Sequence, residues 1–413
     1  MTPRTVALET VGQLVAGLTA RPRVVVAGNF ATPWPLVHAL DAALPVWTLH
    51  MLNAQVGVPS REGIRLETCF VGPGMRDQPT LAYVPSRLSL VPELLRGPLA
   101  PDVVVLHVAP PRAGLVSLGA EVNILPAAIE GARSRGGLVI AAVNPRMPWT
   151  GGDAEILLAD VDVLVEIDEP LPSPAVLPTD DNAAEIGRRV AARVPDGATL
   201  QAGIGAVPDA ALDGLRSRVG LRVWAEMISD GVRRLDESGA LDPDRPVSAS
   251  FLFGSQELYA WADRNPRLTM LRTETVNDPA RIAANPLMVS VNSALQVDLY
   301  AQANAAHVRS RVYSGFGGQT DFIVGALHSA GGQALIALPA WHPRADCSTI
   351  VDLLPAPVTS FQHTAVVTEQ GTAVLWGGSE AEQALALIEH AADPRARAGL
   401  TEQAGRLGLL ARR

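Results

Sequence analysis

The chain has 413 residues, 48% hydrophobic and 18% charged, enough to bury two cores of ordinary domain size. Acidic residues outnumber basic ones 42 to 33, a formal charge of −9, which argues against a protein that works by neutralising nucleic-acid phosphates. All 33 basic residues are Arg, so chemistry that needs a lysine is excluded: a Schiff base, a pyridoxal phosphate anchor, the Lys of a P-loop.

In chain order, the first apolar stretch carries Glu9, unlike the uncharged core of a secretory signal, and no run is long enough to span a bilayer; a cytoplasmic protein is expected. Val11, Leu14, Val15 and Leu18 share one face of a helix that should dock on the first core. Short β-branched runs follow at Arg23 to Ala27, Asp102 to Val108, Leu138 to Val143 and Asp162 to Ile167, alternating with Ala- and Leu-rich helical stretches. That alternation predicts an α/β fold with largely parallel sheets. Between Asp168 and Asn182 stand Pro170, Pro172, Pro174 and Pro178, which neither continue a helix nor donate to a strand ladder, so a linker is placed there.

On either side of this linker the chain repeats itself. The turn Gly28-Asn29-Phe30-Ala31-Thr32-Pro33 has a counterpart in Gly203-Ile204-Gly205-Ala206-Val207-Pro208. His50-Met51 corresponds to Glu226-Met227, the strand ending at Val108 to one ending near Ser293, and Leu138 to Val143 to Ala334 to Leu338. Two similar open α/β domains are expected, 1–180 and 181–413. Only the second copy places a carboxylate after its second strand.

That carboxylate is Glu226. Leu221 to Ala225 reads as a strand, and Ser229-Asp230-Gly231 as a turn and N-cap before a helix over Val232 to Ser238. Glu226 thus falls at a strand's C-terminal end, the edge where open α/β sheets bind ligands. The residue alone fits an ordinary solvated glutamate equally well. In the turn from Gly203 to Pro208 the glycines let the backbone approach a ligand, Pro208 suits the first helical position, and Asp209 already complements the helix dipole. In the glycine-dense Ser314 to Phe322, adjacent Gly317 and Gly318 can aim successive N–H groups at one point, as an oxyanion on a thioester carbonyl would need, or can simply solve a backbone problem. Glu369, ending the strand-like run Val366-Val367-Thr368, is the second candidate for a catalytic acid.

Other chemistries lack their residues. There is no Gly-x-Ser-x-Gly elbow and no His-Glu-x-x-His pair, the eight His are scattered singly, and Cys69 and Cys347 are isolated, so both read as reduced structural thiols and no metal site is expected.

Taken together, these segments resemble the acetyl-CoA hydrolase/transferase family, the class I coenzyme A transferases of the 4-hydroxybutyrate CoA-transferase kind. The resemblance runs nearly end to end, through Gly203 to Pro208, Ala225-Glu226-Met227-Ile228-Ser229-Asp230-Gly231, Val291-Asn292-Ser293-Ala294-Leu295, Gly315 to Phe322 and Val366 to Glu369, with Ser117-Leu118-Gly119 and Val143 to Pro148 in the first half. It implies a glutamyl nucleophile at Glu226 and coenzyme A contacts at Gly203, Ile204, Gly205, Ala206, Val207, Leu295 and Gly318. It further implies acyl-CoA and a small carboxylic acid as substrates, no tightly bound cofactor, and a homodimer.

The chain departs from the family pattern at Gln296, where Glu is usual, at Thr349 and Trp376, where Arg is usual, and at Gln370, where an aromatic is usual. These departures are expected to alter which acyl group fits or how the free acid is held. Two other activities share the same residues: a thioester hydrolase, in which water resolves the adduct on Glu226, and a CoA-ester binding protein without turnover.

Overall fold

The computed structural model describes residues 2–174, 180–203, 205–309, 311–355, 358 and 361–410. They form two compact units: Met1–Pro174 with Pro246–Asn277 and Val312–Gly318, and Ala175–Arg245 with Asp278–Arg311 and Gln319–Arg413. The first crossing falls in the proline-rich stretch read as a linker, of which 175–179 lie outside the described residues. The chain then returns twice to the first unit, so the units are not the consecutive stretches 1–180 and 181–413. Long-range pairing is the cause. Val247–Ala249 and Leu268–Met270 pair with each other, and the latter with Gly151–Gly152, while the Val71 and Leu88 N–H groups donate to the Ser314 and Gly317 carbonyls.

In the first unit, β1 (Arg4–Thr5), β2 (Arg23–Val26), β3 (Trp47–His50), β4 (Ile64–Thr68), β5 (Leu81–Tyr83), β6 (Val103–Val108), β7 (Leu138–Val143) and β8 (Val163–Glu166) form a parallel sheet in the order β1-β8-β7-β6-β2-β3-β4-β5. Strands such as β6, buried along their whole length, read as unbroken apolar runs because helices cover both faces of such sheets. Helix α1 (Val11–Ala16) buries Val11 and Val15 against this core, with α2 (Trp34–Ala43) beside it. Leu18, expected on the same face, is 46% exposed because the helix ends two residues before it.

The second unit carries β9 (Thr199–Ala202), β10 (Arg222–Trp224), β11 (Met288–Asn292), β12 (Gln333–Ala337), β13 (Ala365–Thr368) and β14 (Gly371–Val374), hydrogen-bonded in the order β10-β9-β11-β12-β13-β14. All these pairs are parallel except the β13-β14 hairpin. Its helices include α3 (Asp181–Ala192), α4 (Ala206–Gly214) and α5 (Asp230–Glu237). The internal repeat holds strand by strand: β3-β2-β6-β7-β8 in one unit runs in the same spatial order as β10-β9-β11-β12-β13 in the other. Among the described residues no helix is long and apolar enough to cross a membrane.

Candidate active site

The site residues of the second unit gather where β9, β10, β11, β12 and β13 end. After β9 comes Gly203; Ile204, also expected to contact coenzyme A, lies outside the described residues. Gly205, with φ 117° and ψ 177°, then caps α4. That backbone region is open essentially to glycine alone. The helix starts at Ala206, so Pro208 occupies its third position rather than its first, where a missing N–H still breaks no intrahelical bond.

Glu226 lies two residues past β10, in a bend before the short strand Met227–Ile228, and is half-buried. Ser229 caps α5 by accepting from the Gly231 N–H at 3.3 Å, and its hydroxyl donates to Asp209 Oδ1 at 3.2 Å. Burial raises the Asp209 carboxyl above its ordinary range, with the Ser229 hydrogen bond opposing. A Cβ on Gly231 would stand 2.5 Å from Leu212 Cδ1, so glycine there lets α5 pack closely on α4. The segment after Glu226 is thus fixed by a cap, a hydrogen bond and a helix contact, which holds the strand end in place.

Asn292 ends β11 with its amide 3.5 Å from Gln201 Oε1; Ser293 is exposed and Leu295 half-buried, with the Leu295 N–H donating to the Asn304 carbonyl at 2.8 Å. Glu369 follows β13. Its Oε2 accepts from the Ala340 N–H at 2.9 Å, which makes it an anchor for the chain leaving β12.

A cavity of about 540 Å³ in this unit joins several of these elements. Gly205, Ala206, Val207, Ser293, Glu369 and Gln370 line it; Glu226, Gly203 and Leu295 are not among its lining residues. Trp341 and Arg395 form another part of the wall, the guanidinium 3.7 Å above the indole ring and paired with Asp393 at 2.9 Å. Asp180 lines it as well, its carboxylate capping α3 through the Ala183 N–H. Asp393 and Asp180 are readable in sequence as helix caps, Asp393 standing before a Pro at the first helical position, but nothing local says that they border a cavity.

Gly317 and Gly318 belong to the loop that packs with the first unit. Gly317 has φ 56°, and a Cβ there would stand 2.9 Å from the Phe70 ring, so its glycine meets a packing need whatever its N–H does. Trp376 follows β14, at the end of β13 opposite to Glu369, and lines a different cavity. His50, the first unit's counterpart of Glu226, is fully buried and shares a hydrogen bond with Glu67 at 3.1 Å. Only the second unit leaves a partly exposed carboxylate at this place. Among the described residues no group of three His, Cys, Asp or Glu could hold a metal ion.

Comparison with known proteins decides the family. The acetyl-CoA hydrolase/transferase N-terminal domain model matches residues 58–176, and the C-terminal domain model residues 254–404. A 4-hydroxybutyrate coenzyme A transferase of Clostridium kluyveri is 36% identical, over 96% of this chain and 96% of that protein. The chain belongs to the acetyl-CoA hydrolase/transferase family. Among solved structures, RipA from Yersinia pestis matches with a TM-score of 0.89 at 28% identity, covering 98% of each chain. A 4-hydroxybutyrate CoA-transferase from Porphyromonas gingivalis matches at 0.80 and 30% identity, again over 98% of each. The α/β fold with mostly parallel sheets is therefore a fold of this family. Glu226 itself lies between the two stretches matched by the domain models.

Proposed function

We propose that the protein transfers coenzyme A from an acyl-CoA thioester to a free carboxylate, with Glu226 as nucleophile. The observation that carries this reading is the place of Glu226: a half-exposed carboxylate beyond a parallel strand's C-terminal end, in a chain 36% identical to a 4-hydroxybutyrate coenzyme A transferase over nearly its whole length. A carboxylate is already ionised at neutral pH, so no general base is needed to activate it.

The reaction runs as a double displacement. A Glu226 oxygen attacks the acyl carbonyl, the C–S bond breaks, and an acyl-glutamyl anhydride and CoA thiolate result. The thiolate attacks the glutamyl carbonyl, the first acid leaves as carboxylate, and a glutamyl-CoA thioester remains. A second carboxylate attacks that thioester, releasing the thiolate and forming a new anhydride. The thiolate then takes the acyl group, and Glu226 is restored. Gly203, Ile204, Gly205, Ala206, Val207, Leu295, Gly317 and Gly318 are the coenzyme A contacts of this reading. Because a carboxylate is a weak nucleophile, binding energy from the distant CoA nucleotide is used to drive the first step.

Intact mass after brief exposure to acetyl-CoA without acceptor acid tests the proposal. A CoA-sized adduct on the unmutated protein, absent from Glu226→Ala and cleared by added carboxylate, is the expected result. An adduct cleared equally fast without acid would make the protein a hydrolase. Binding of several acyl-CoAs with no adduct and no turnover would leave a CoA-ester binder.

A further inference from the structure

Helix α4 joins two parts of the site. It begins in the turn after β9, and its first turn carries Asp209, whose carboxylate reaches across to Ser229, in the segment that follows Glu226. A line of contacts therefore runs from the glycine turn to the strand end that bears the proposed nucleophile.

The contact is built so that it fixes direction as well as distance. The Asp209 N–H donates to the carbonyl of Gly205, the cap of α4, at 3.0 Å, which ties the residue to the turn. Its Oδ1 accepts from the Ser229 hydroxyl at 3.2 Å. An ionised carboxylate only accepts, so the hydroxyl hydrogen points to Asp209 and the oxygen is left to accept from the Gly231 N–H, 3.3 Å away in the first turn of α5. Ser229 is buried, so one hydroxyl holds the segment after Glu226 to both helices.

As a contact between helices alone, this carboxylate is poorly placed. Burial raises its pKa, and so do the Asp213 and Asp230 carboxylates, with Ser229 and Arg234 opposing. The two helices are already joined one turn further on, where Arg234 pairs with Asp213 at 2.8 Å, and by the close packing of Gly231 on Leu212. A group set against its own electrostatic preference is expected where position serves chemistry.

We propose that Asp209 is a positioning residue for the nucleophile, which through Ser229 fixes Glu226 relative to the turn that contacts coenzyme A. The inference rests on the reading of Glu226 as nucleophile. Asp209 acts through Ser229 and not on the thioester: it limits where the Glu226 carboxylate stands when the acyl carbonyl arrives, and a displacement of about 1 Å costs on the order of 10²-fold in rate.

Rapid-quench intact mass at saturating acetyl-CoA gives the rate of Glu226 adduct formation, and calorimetry gives the affinity for coenzyme A. Asp209→Ala should slow the adduct about 10–100-fold. It should leave coenzyme A affinity within about twofold, because the lost contact bears on the reacting group and not on ground-state binding. Asp209→Asn, which keeps an acceptor oxygen for Ser229, should recover most of the rate. Ser229→Ala, which also loses the α5 cap, should be at least as slow as Asp209→Ala, and the double variant no slower than Ser229→Ala, since the two residues form one contact. Circular dichroism checks that each variant is folded. An adduct formed at the unmutated rate by Asp209→Ala overturns the proposal. So does a double-variant loss equal to the product of the single losses, or an Asn variant as slow as the Ala variant. Coenzyme A affinity that falls in step with the rate also overturns it, since α4 would then be merely loosened. Absence of any adduct on the unmutated protein sinks the transferase reading and this proposal with it, whereas a normal adduct in Asp209→Ala sinks this proposal alone.

Discussion

Glu226 and Glu369 both end strands at the same edge of the second unit, and their surroundings separate their roles. Glu369 has one oxygen committed to the N–H of Ala340, a fully buried residue. Removing the acceptor leaves that N–H unpaired, so Glu369→Ala should lower stability by about 1–3 kcal/mol, whereas Glu369→Gln, which keeps an acceptor oxygen, should come within about 1 kcal/mol of the unmutated protein. Urea unfolding reads both. Glu226→Gln should reduce turnover on the order of 10³-fold or more, as loss of a covalent nucleophile does. A Glu369→Gln protein that is stable but equally dead would reverse the assignment. The position of Glu226 is legible in the sequence because an apolar strand before it and a Ser-Asp-Gly cap after it bracket the residue. The role of Glu369 is not, because its partner lies 29 residues away and no local pattern encodes the contact.

At the scale of elements, the turn after β9 tests what its glycines are for. A Cβ on Gly205 would meet nothing within 4 Å, so the cost of Gly205→Ala is that of holding alanine at φ 117°, about 1–3 kcal/mol, not crowding. Gly203 has equally open space and no left-handed φ, so Gly203→Ala should be neutral or stabilise by about 0.4–1 kcal/mol. The two variants compared in urea, with equal slopes and different midpoints, would show that backbone conformation decides. If Gly203→Ala loses affinity for acyl-CoA while keeping its stability, the open space there is ligand space. The same turn shows what the sequence discloses about the fold. The Gly-x-Gly spacing, the following helix and the match to Gly28–Pro33 are local signals, and the repeat they suggest reproduces the order of five strands in each unit. The returns of Pro246–Asn277 and Val312–Gly318 to the first unit are set by pairing with distant chain, which hydrophobic periodicity does not record.

For the molecule as a whole, buried titratable groups set how stability follows pH. His107 is locked neutral: Nδ1 donates to the Ala31 carbonyl at 3.1 Å, and Nε2 accepts from the Asn144 amide at 2.9 Å. The Asn144 amide is itself oriented, donating to the Glu169 carbonyl and accepting from the Arg146 N–H. A second proton on His107 would face a donor. Burial lowers the pKa of both His107 and His363 from 6.5 to about 4. Their contribution is fully present above pH 6.5 and is lost as pH falls towards 4, on the order of 3 kcal/mol each at the acid limit. Glu121 runs the other way. It is buried, accepts from the Gly28 and Asn29 N–H groups at 3.2 and 3.1 Å, and burial nonetheless raises its pKa from 4.5 to about 7. Its contribution is complete below pH 4.5 and is lost as pH rises through 7. Against the opposing pull of burial, the Glu67 carboxyl is lowered by its hydrogen bond to His50 and then by Arg23, and that of Glu130 by Arg96 and Arg272. The histidines therefore add stability as pH rises towards 6.5 while Glu121 removes it as pH rises towards 7, so the two effects oppose each other over most of the range between pH 4 and 7. Glu121→Gln cannot ionise, so its unfolding free energy should gain on that of the unmutated protein by on the order of 2–3 kcal/mol between pH 5 and 8, whatever the fixed cost of the substitution. Urea midpoints at each pH give this difference. A difference that stays flat would mean that the Glu121 carboxyl is ionised throughout, its charge held by the two backbone N–H groups of the turn after β2.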